Sequence, residues 1–287
     1  MPQAKVGIVG GSGLYQMEGL RDVEEVRIST PFGDPSDAFT VGKLDGIPVA
    51  FLPRHGRGHR VLPTELPVMA NIHAFKQLGV EHIVSVSAVG SLKEQMAPLH
   101  MVVPDQIIDR TRSRVNSFFG EGMVVHVGFS DPFCTELSKE LYEAAREAGA
   151  TVHQGGTLIV MEGPQFSTRA ESNLYRSWGA SIIGMTALPE AKLAREAEIC
   201  YATLACVTDY DCWYEGHEEV TIDMVVANLT RNVEVSKEIL RKTVTRIPDA
   251  RKCACSTALQ NAIVTDRELI PQQTRERLSL LIGKYVQ

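Results

Sequence analysis

The sequence predicts an α/β fold with helices on both faces of the sheet. Two observations carry this expectation. Strand-like runs rich in Val and Ile are nearly continuous, as in strands covered on both sides, and helical patterns lie between them. A third observation bears on domain count. The 287 residues contain no linker, internal repeat or low-complexity tract, so one domain over residues 1–287 is expected, with 248–287 reading as loop and then a polar helical tail.

In chain order, the strand-like runs are "KVGIVGG" (5–11), "IPVAFLP" (47–53), "HIVSVSAVGS" (82–91), "HMVVPDQIID" (100–109), "GTLIVMEG" (156–163), "ASIIGM" (180–185) and "ICYATLACV" (199–207). Helical patterns occupy the intervals. Residues 64–79 end at a glycine, 131–149 open with an Asp-Pro cap and close at Gly149, and 167–179 start at a serine cap with Glu171 in the first turns. A helix follows Met185-Thr186 within 184–198, and 221–244 space Ile222, Val225, Val226, Leu229 and Val233 as a core stripe.

Composition limits the function classes. A chain that is 44% hydrophobic with net charge −6 suits a globular enzyme and not a surface that tracks nucleic-acid phosphates. No run reaches the 18 apolar residues of a membrane span, and the N-terminus lacks a secretory pattern, so a cytoplasmic protein is expected. The six cysteines form no C-x-x-C pair. They read as reduced structural thiols, with metal binding or a disulfide at "CAC" (253–255) as the alternatives.

Several strand ends carry groups suited to an anion. "GIVGGSGLY" (7–15) is a glycine-rich turn with a hydroxyl at Ser12, but Gln16 stands where a dinucleotide fingerprint needs glycine, and a Walker A lysine is absent. "PRHGRGHR" (53–60) puts three arginines and two histidines just after a strand; Arg54 and His55 suit phosphate, against the alternative of a solvated basic loop. Ser87, the Ala88 N–H and Thr186 add small donors at two further strand ends. Phe166 offers a flat face for a base, or core packing, and Met185 offers apolar contact to a sugar. "VTDYDCW" (207–213) ends a buried run with Asp209 and Asp211, which strand alternation would put on one side. Phosphate donors beside a buried acid suggest phosphorolysis, in which phosphate attacks an anomeric carbon while an acid stabilises the departing base.

The ordered motifs "GIVGGSGL", "TPFGDPSD", "RHGRGH", "EGPQFSTRAES" and "ACVTDYDCW" resemble those of the 5′-methylthioadenosine phosphorylases of the purine nucleoside phosphorylase family, over about residues 4–245. The resemblance implies a single domain with a central mixed sheet and a homotrimer. It implies conversion of 5′-methylthioadenosine and phosphate to adenine and 5-methylthioribose 1-phosphate, in purine and methionine salvage. It implies no metal or organic cofactor, while charge and hydropathy predict no nucleic-acid or membrane partner. Carried over by position, Ser12, Arg54, His55, Ser87, Ala88 and Thr186 match the phosphate site, Met185 the ribose contact, Phe166 the base contact, and Asp209 and Asp211 the purine-binding acids. Ser167 and Ile222 match positions that tune substrate choice. His126 resembles a histidine given to a neighbouring subunit, and Leu269 a C-terminal residue near the methylthio group. The 6-oxopurine branch has asparagine at the Asp209 position and glutamate at the Ser167 position, so both residues here point to adenine. A phosphorylase of broader range, a non-catalytic nucleoside- or dinucleotide-binding module and a phosphate-independent hydrolase are the competing readings.

Overall fold

The computed structural model describes residues 2–11, 14, 17–214 and 222–286, except for the side chains of 222–225 and 229. Its strands are β1 (Val6–Gly10), β2 (Leu20–Val26), β3 (Phe39–Leu44), β4 (Ile47–Pro53), β5 (His82–Ser91), β6 (Met101–Val103), β7 (Gln106–Arg110), β8 (Val152–Gln154), β9 (Thr157–Met161), β10 (Ile182–Gly184) and β11 (Cys200–Asp209). The helices are α1 (Val68–Gln77), α2 (Thr135–Glu147), α3 (Arg169–Ser177), α4 (Ala187–Glu196), α5 (Ile222–Arg246) and α6 (Gln272–Ile282).

All eleven strands join one mixed sheet. Strand β5 is its hub. It pairs in parallel with β1 and β11, and its last residues pair antiparallel with β10. Gly90 faces Asp209 on one edge and Ile183 on the other, so β10 takes over the edge that β1 holds earlier in β5. The outer strands β2–β3–β4 form an antiparallel meander, and β10, β9 and β7 continue in parallel.

The near-continuous apolar runs resolve into strict alternation between two cores. Along β11, Tyr201, Ala205 and Val207 enter the core shared with α1, α4 and α6, whereas Cys200, Ala202, Leu204 and Cys206 enter the core shared with α2 and α5. Strand β5 divides in the same way, with Ile83 and Val89 on one side and Val84 and Val86 on the other. Helices therefore cover both faces, as the sequence pattern predicts.

Some details differ from that pattern. The run 100–109 breaks at Pro104 into β6 and β7, which pair with different partners, because proline has no N–H for a ladder. Strand β2 is charged and mostly exposed, so it carries no apolar signal. Helix α2 starts after Cys134 and not at Asp131, because Phe133 is drawn into the core, where it stacks on Tyr201. Helix α3 is capped by Thr168 and not Ser167. Thr168 and Glu171 form a reciprocal capping box, while the Ser167 hydroxyl turns to Met161 Sδ. The tail packs: Leu259, Ile270, Leu278, Leu281 and Ile282 join the α1/α4 core. Buried Glu198 anchors this tail, accepting hydrogen bonds from Leu259 N–H and the Tyr285 hydroxyl and pairing with Lys284.

A buried ion pair fastens β4 to α4. Arg54 and Glu190 are each 2% exposed; Arg54 Nε donates to Glu190 Oε1 at 2.7 Å and Nη2 to Oε2 at 3.1 Å. The same guanidinium donates to Ser85 Oγ and to the carbonyls of Val86 and Val9, and the Tyr201 hydroxyl donates to Glu190. Losing one member leaves the other charge buried and unpaired. Glu190→Ala is expected to lower the unfolding free energy by about 3–5 kcal/mol. Glu234→Ala, which removes an exposed partner of Lys237, should cost under about 1 kcal/mol. Urea denaturation of the two variants measures the contrast.

Candidate functional site

The parallel strands β1, β4, β5 and β11 end on one edge of the sheet, where α/β folds hold ligands. Asp209 is the last residue of β11. The pairing of β11 with β5 slips between Val207 and Asp209, and this bulge at Thr208 re-aims the carboxylate. The bulge is held from outside, because Asn228 Nδ2 donates to Thr208 O at 2.7 Å and Asn232 Nδ2 to Val207 O at 3.1 Å.

Asp211 does not continue the strand. It sits in a single 3-10 turn over 211–213 with φ of +51°, so strand alternation is not what brings the acids together. The turn does so: Asp211 N–H donates to Asp209 Oδ1 at 2.8 Å. Both carboxyl groups are buried, at 7% and 8% exposure. Burial raises the pKa of each, against hydrogen bonds that stabilise the anions; for Asp211, the nearby Asp209 charge raises it further. Asp211 Oδ2 is buried and has no hydrogen-bond partner among the described residues, which suits it to accept a donor from a ligand.

Thr208 prepares Asp209 for either protonation state. Its hydroxyl lies 2.7 Å from Asp209 Oδ2 and 3.2 Å from Val89 O. It donates to the ionised carboxylate. When Oδ2 carries a proton, the hydroxyl can accept it and donate to Val89 O instead.

On the anion side, Ser87 and Ala88 are partly exposed near the end of β5. Thr186 occupies the N-cap of α4, and its side chain makes no capping hydrogen bond. Arg54, expected among the phosphate residues, lies buried at the end of β4. Its guanidinium is directed inward and is committed to Glu190, Ser85 and two carbonyls. The wider basic loop is also engaged, since Arg57 pairs with Glu25 and its N–H donates to Asp37. His55 Nδ1–H donates to Val61 O at 2.8 Å, leaving Nε2 as the acceptor of the neutral ring. Burial, opposed by that hydrogen bond and aided by the Arg54 charge, lowers the His55 pKa to about 4.

Met185 packs over Gly163, where an added Cβ would lie 2.6 Å from its Sδ. Ser167 is half-buried beside the acids, and its carbonyl accepts from Cys212 Sγ. Phe166 is 50% exposed and so is not a core residue. His126 and Leu269 are exposed and lie away from the acids in sequence, on a strip and a tail joined by the Val125–Ile263 bridge and the tail's core packing. Ser12 lies outside the described residues, as do the side chains of Ile222 and Val225.

Sequence reasoning misses several supports of the site. Gly90 is one: a Cβ there would lie 3.0 Å from Asp209 Oδ1 and 3.3 Å from Asp211 Cβ, so only glycine leaves the acids their places. Arg114, 3% exposed at its side chain, donates to the carbonyls of Leu188, Met185, Met161 and Glu162 and clamps two strand-to-helix joints together. Asn228 and Asn232 do carry a signal, in their spacing of four on one helix face. A cleft of about 210 Å³, lined in part by Phe32, Pro67, Arg114 and Pro189, adjoins this region through Arg114.

Residues 5–245 match the profile of the phosphorylase superfamily. The S-methyl-5′-thioadenosine phosphorylase of Geobacter sulfurreducens is 60% identical over 282 residues, covering 98% of this chain and 99% of that one. The enzyme of the same name from Koribacter versatilis is 60% identical over 283 residues, covering 99% and 97%. Among solved structures, a methylthioadenosine phosphorylase from an antarctic soil metagenomic library superposes with a TM-score of 0.94 at 49% identity, covering 98% and 99%. Methylthioadenosine phosphorylase from Schistosoma mansoni in complex with adenine superposes with a TM-score of 0.86 at 35% identity, covering 91% and 99%.

The raised pKa of Asp209 has a consequence for stability. The folded chain binds this proton more tightly than the unfolded one. The group's contribution is therefore full below the ordinary value of 3.8 and is lost as pH rises through the folded value. Asp209→Asn removes the ionisation, keeps an oxygen for Asp211 N–H and can donate its amide to Thr208 Oγ1. The variant should melt at the same or a higher temperature than the parent at pH 7, with the difference shrinking towards pH 4. Thermal melts across that range check it.

Proposed function

As the chain belongs to the phosphorylase superfamily, we propose that this crevice carries out phosphorolysis of S-methyl-5′-thioadenosine, giving adenine and 5-methylthioribose 1-phosphate. The observation that carries the reading is the pair of buried acids at the end of β11, one with a carboxyl oxygen that has no partner among the described residues. Adenine offers an acceptor at N7 and a donor at N6. A protonated Asp209 donates to N7 as the bond from N9 to the anomeric carbon breaks, and Asp211 accepts from the amino edge. Phosphate attacks the anomeric carbon on the opposite side, the bond electrons pass into the purine, and the proton from Asp209 neutralises it.

The phosphate lies against Ser87, the Ala88 N–H, Thr186 and His55. The Arg54 charge acts from beneath them while Glu190 holds it in place. The neutral His55 Nε2 accepts from a protonated phosphate oxygen. Met185 contacts the sugar, Phe166 the base, and Ser167 leaves room for the amino edge. Ser12 joins the phosphate set, and Ile222 lines the 5′ end. The enzyme works as a homotrimer in the cytoplasm, in purine and methionine salvage, with His126 of one subunit completing a neighbour's site. It needs no metal or organic cofactor for this chemistry.

Two outcomes are expected. Adenine release from methylthioadenosine should require inorganic phosphate, and the rate on inosine should be far lower. Phosphate-independent release would point to a hydrolase, and inosine as the better substrate would defeat the adenine assignment. Asp209→Asn should lower kcat by about 10²–10⁴-fold with little change in the KM for phosphate. Steady-state kinetics in both substrates reads the split.

A further inference from the structure

Away from the acids, four sulfurs converge. The Sγ atoms of Cys134, Cys200, Cys253 and Cys255 all lie within 4.8 Å of one another. They come from three parts of the chain: the start of α2, the first residue of β11, and the C-x-C of the tail. Cys134, Cys200 and Cys255 are buried and Cys253 is half-buried. All four are free thiols, and the Cys200 and Cys253 sulfurs lie 3.3 Å apart. A disulfide needs about 2.0 Å. Four thiolates around a tetrahedral ion at bonds of about 2.3 Å would stand about 3.8 Å apart.

From this geometry we propose that Cys134, Cys200, Cys253 and Cys255 form a closed tetrahedral thiolate site for a structural zinc ion. Each of these cysteines packs at the α2/α5 core as a small apolar side chain, but four sulfurs within 4.8 Å of one another also make the ligand set of a soft divalent cation. The surroundings suit the added negative charge. Cys134 is the N-cap of the thirteen-residue α2 and makes no side-chain capping bond, so the positive end of that helix faces the cluster. Binding replaces four thiol protons, released to solvent, by one divalent ion, with no change of oxidation state.

The ion would be structural. With four protein sulfurs, it has no open position for water or substrate. Cys200 and Asp209 stand at opposite ends of β11, about 30 Å apart at the usual rise per residue. The site ties the tail to α2 and β11. That tail also holds the strip carrying His126, through His126 N–H to Ala262 O and the Val125–Ile263 bridge.

Metal analysis of the full chain, purified under reducing conditions without chelator or metal-affinity tag, tests this directly. About one zinc per chain is expected, with cobalt substitution giving the visible and charge-transfer bands of a tetrahedral thiolate complex. Cys253→Ser should bring the metal content close to zero and lower the melting temperature, while kcat on methylthioadenosine below that temperature stays unchanged. Metal below a tenth of an equivalent (about a tenfold shortfall on the single site expected), with zinc failing to raise the melting temperature, overturns the site, as does a Cys200–Cys253 disulfide in the reduced-handled protein. Because the metal content is read on the unaltered chain, a variant that fails to fold does not weaken the test.

Discussion

The pairing of β11 with β5 is the constraint on which the rest of the site depends. Parallel register from Cys200 to Val207 carries β11 through both cores, and one slip leaves Thr208 unpaired before Asp209 rejoins the ladder opposite Gly90. Without the slip, Asp209 would face one of the two hydrophobic cores. With it, the carboxyl remains buried yet opens towards the crevice. Gly90, directly across on β5, makes the space, and two asparagines of α5 hold the freed carbonyls. An acid poised to carry a proton needs this combination: enough burial to favour the neutral form and enough polar contact to keep its place.

The second organising element is the Arg54–Glu190 pair. A surface arginine would move to meet an anion and lose rotamer freedom in doing so. Arg54 instead is fixed beneath the strand ends, and its charge is partly balanced by Glu190. Ser85, with its Oγ bonded to the guanidinium, is two residues before Ser87 on β5. The ion pair and the small donors above it are therefore rigidly related. The guanidinium is positioned by the core itself, which limits how far the strand ends can shift.

The legibility of the chain varies from place to place. The main strands of the interior are readable because their Val and Ile runs are long and bounded by glycines. The edge strand β2 is not, since an exposed edge favours charge over apolar residues. The start of α2 falls later than its local signal because capping chemistry at Asp131-Pro132 competes with the burial of Phe133, and burial of an aromatic ring stabilises more than a cap does. The packing of the tail is not legible in the sequence because its apolar residues are spaced among charged ones. Its contacts are with α1, α4 and Glu198, all distant in sequence.

The site divides along the same line. Residue types and motif order alone determined the chemistry on offer: two acids closing a buried run, small hydroxyls at strand ends, and a basic turn. Only the tertiary structure decided that a bulge and a 3-10 turn, and not strand alternation, join Asp209 to Asp211, and that Arg54 faces inward. It alone gathered four cysteines from three segments. Local pattern reports what a residue can do. Where that residue points depends on pairing register and on charges buried across the chain, which no short window of sequence contains.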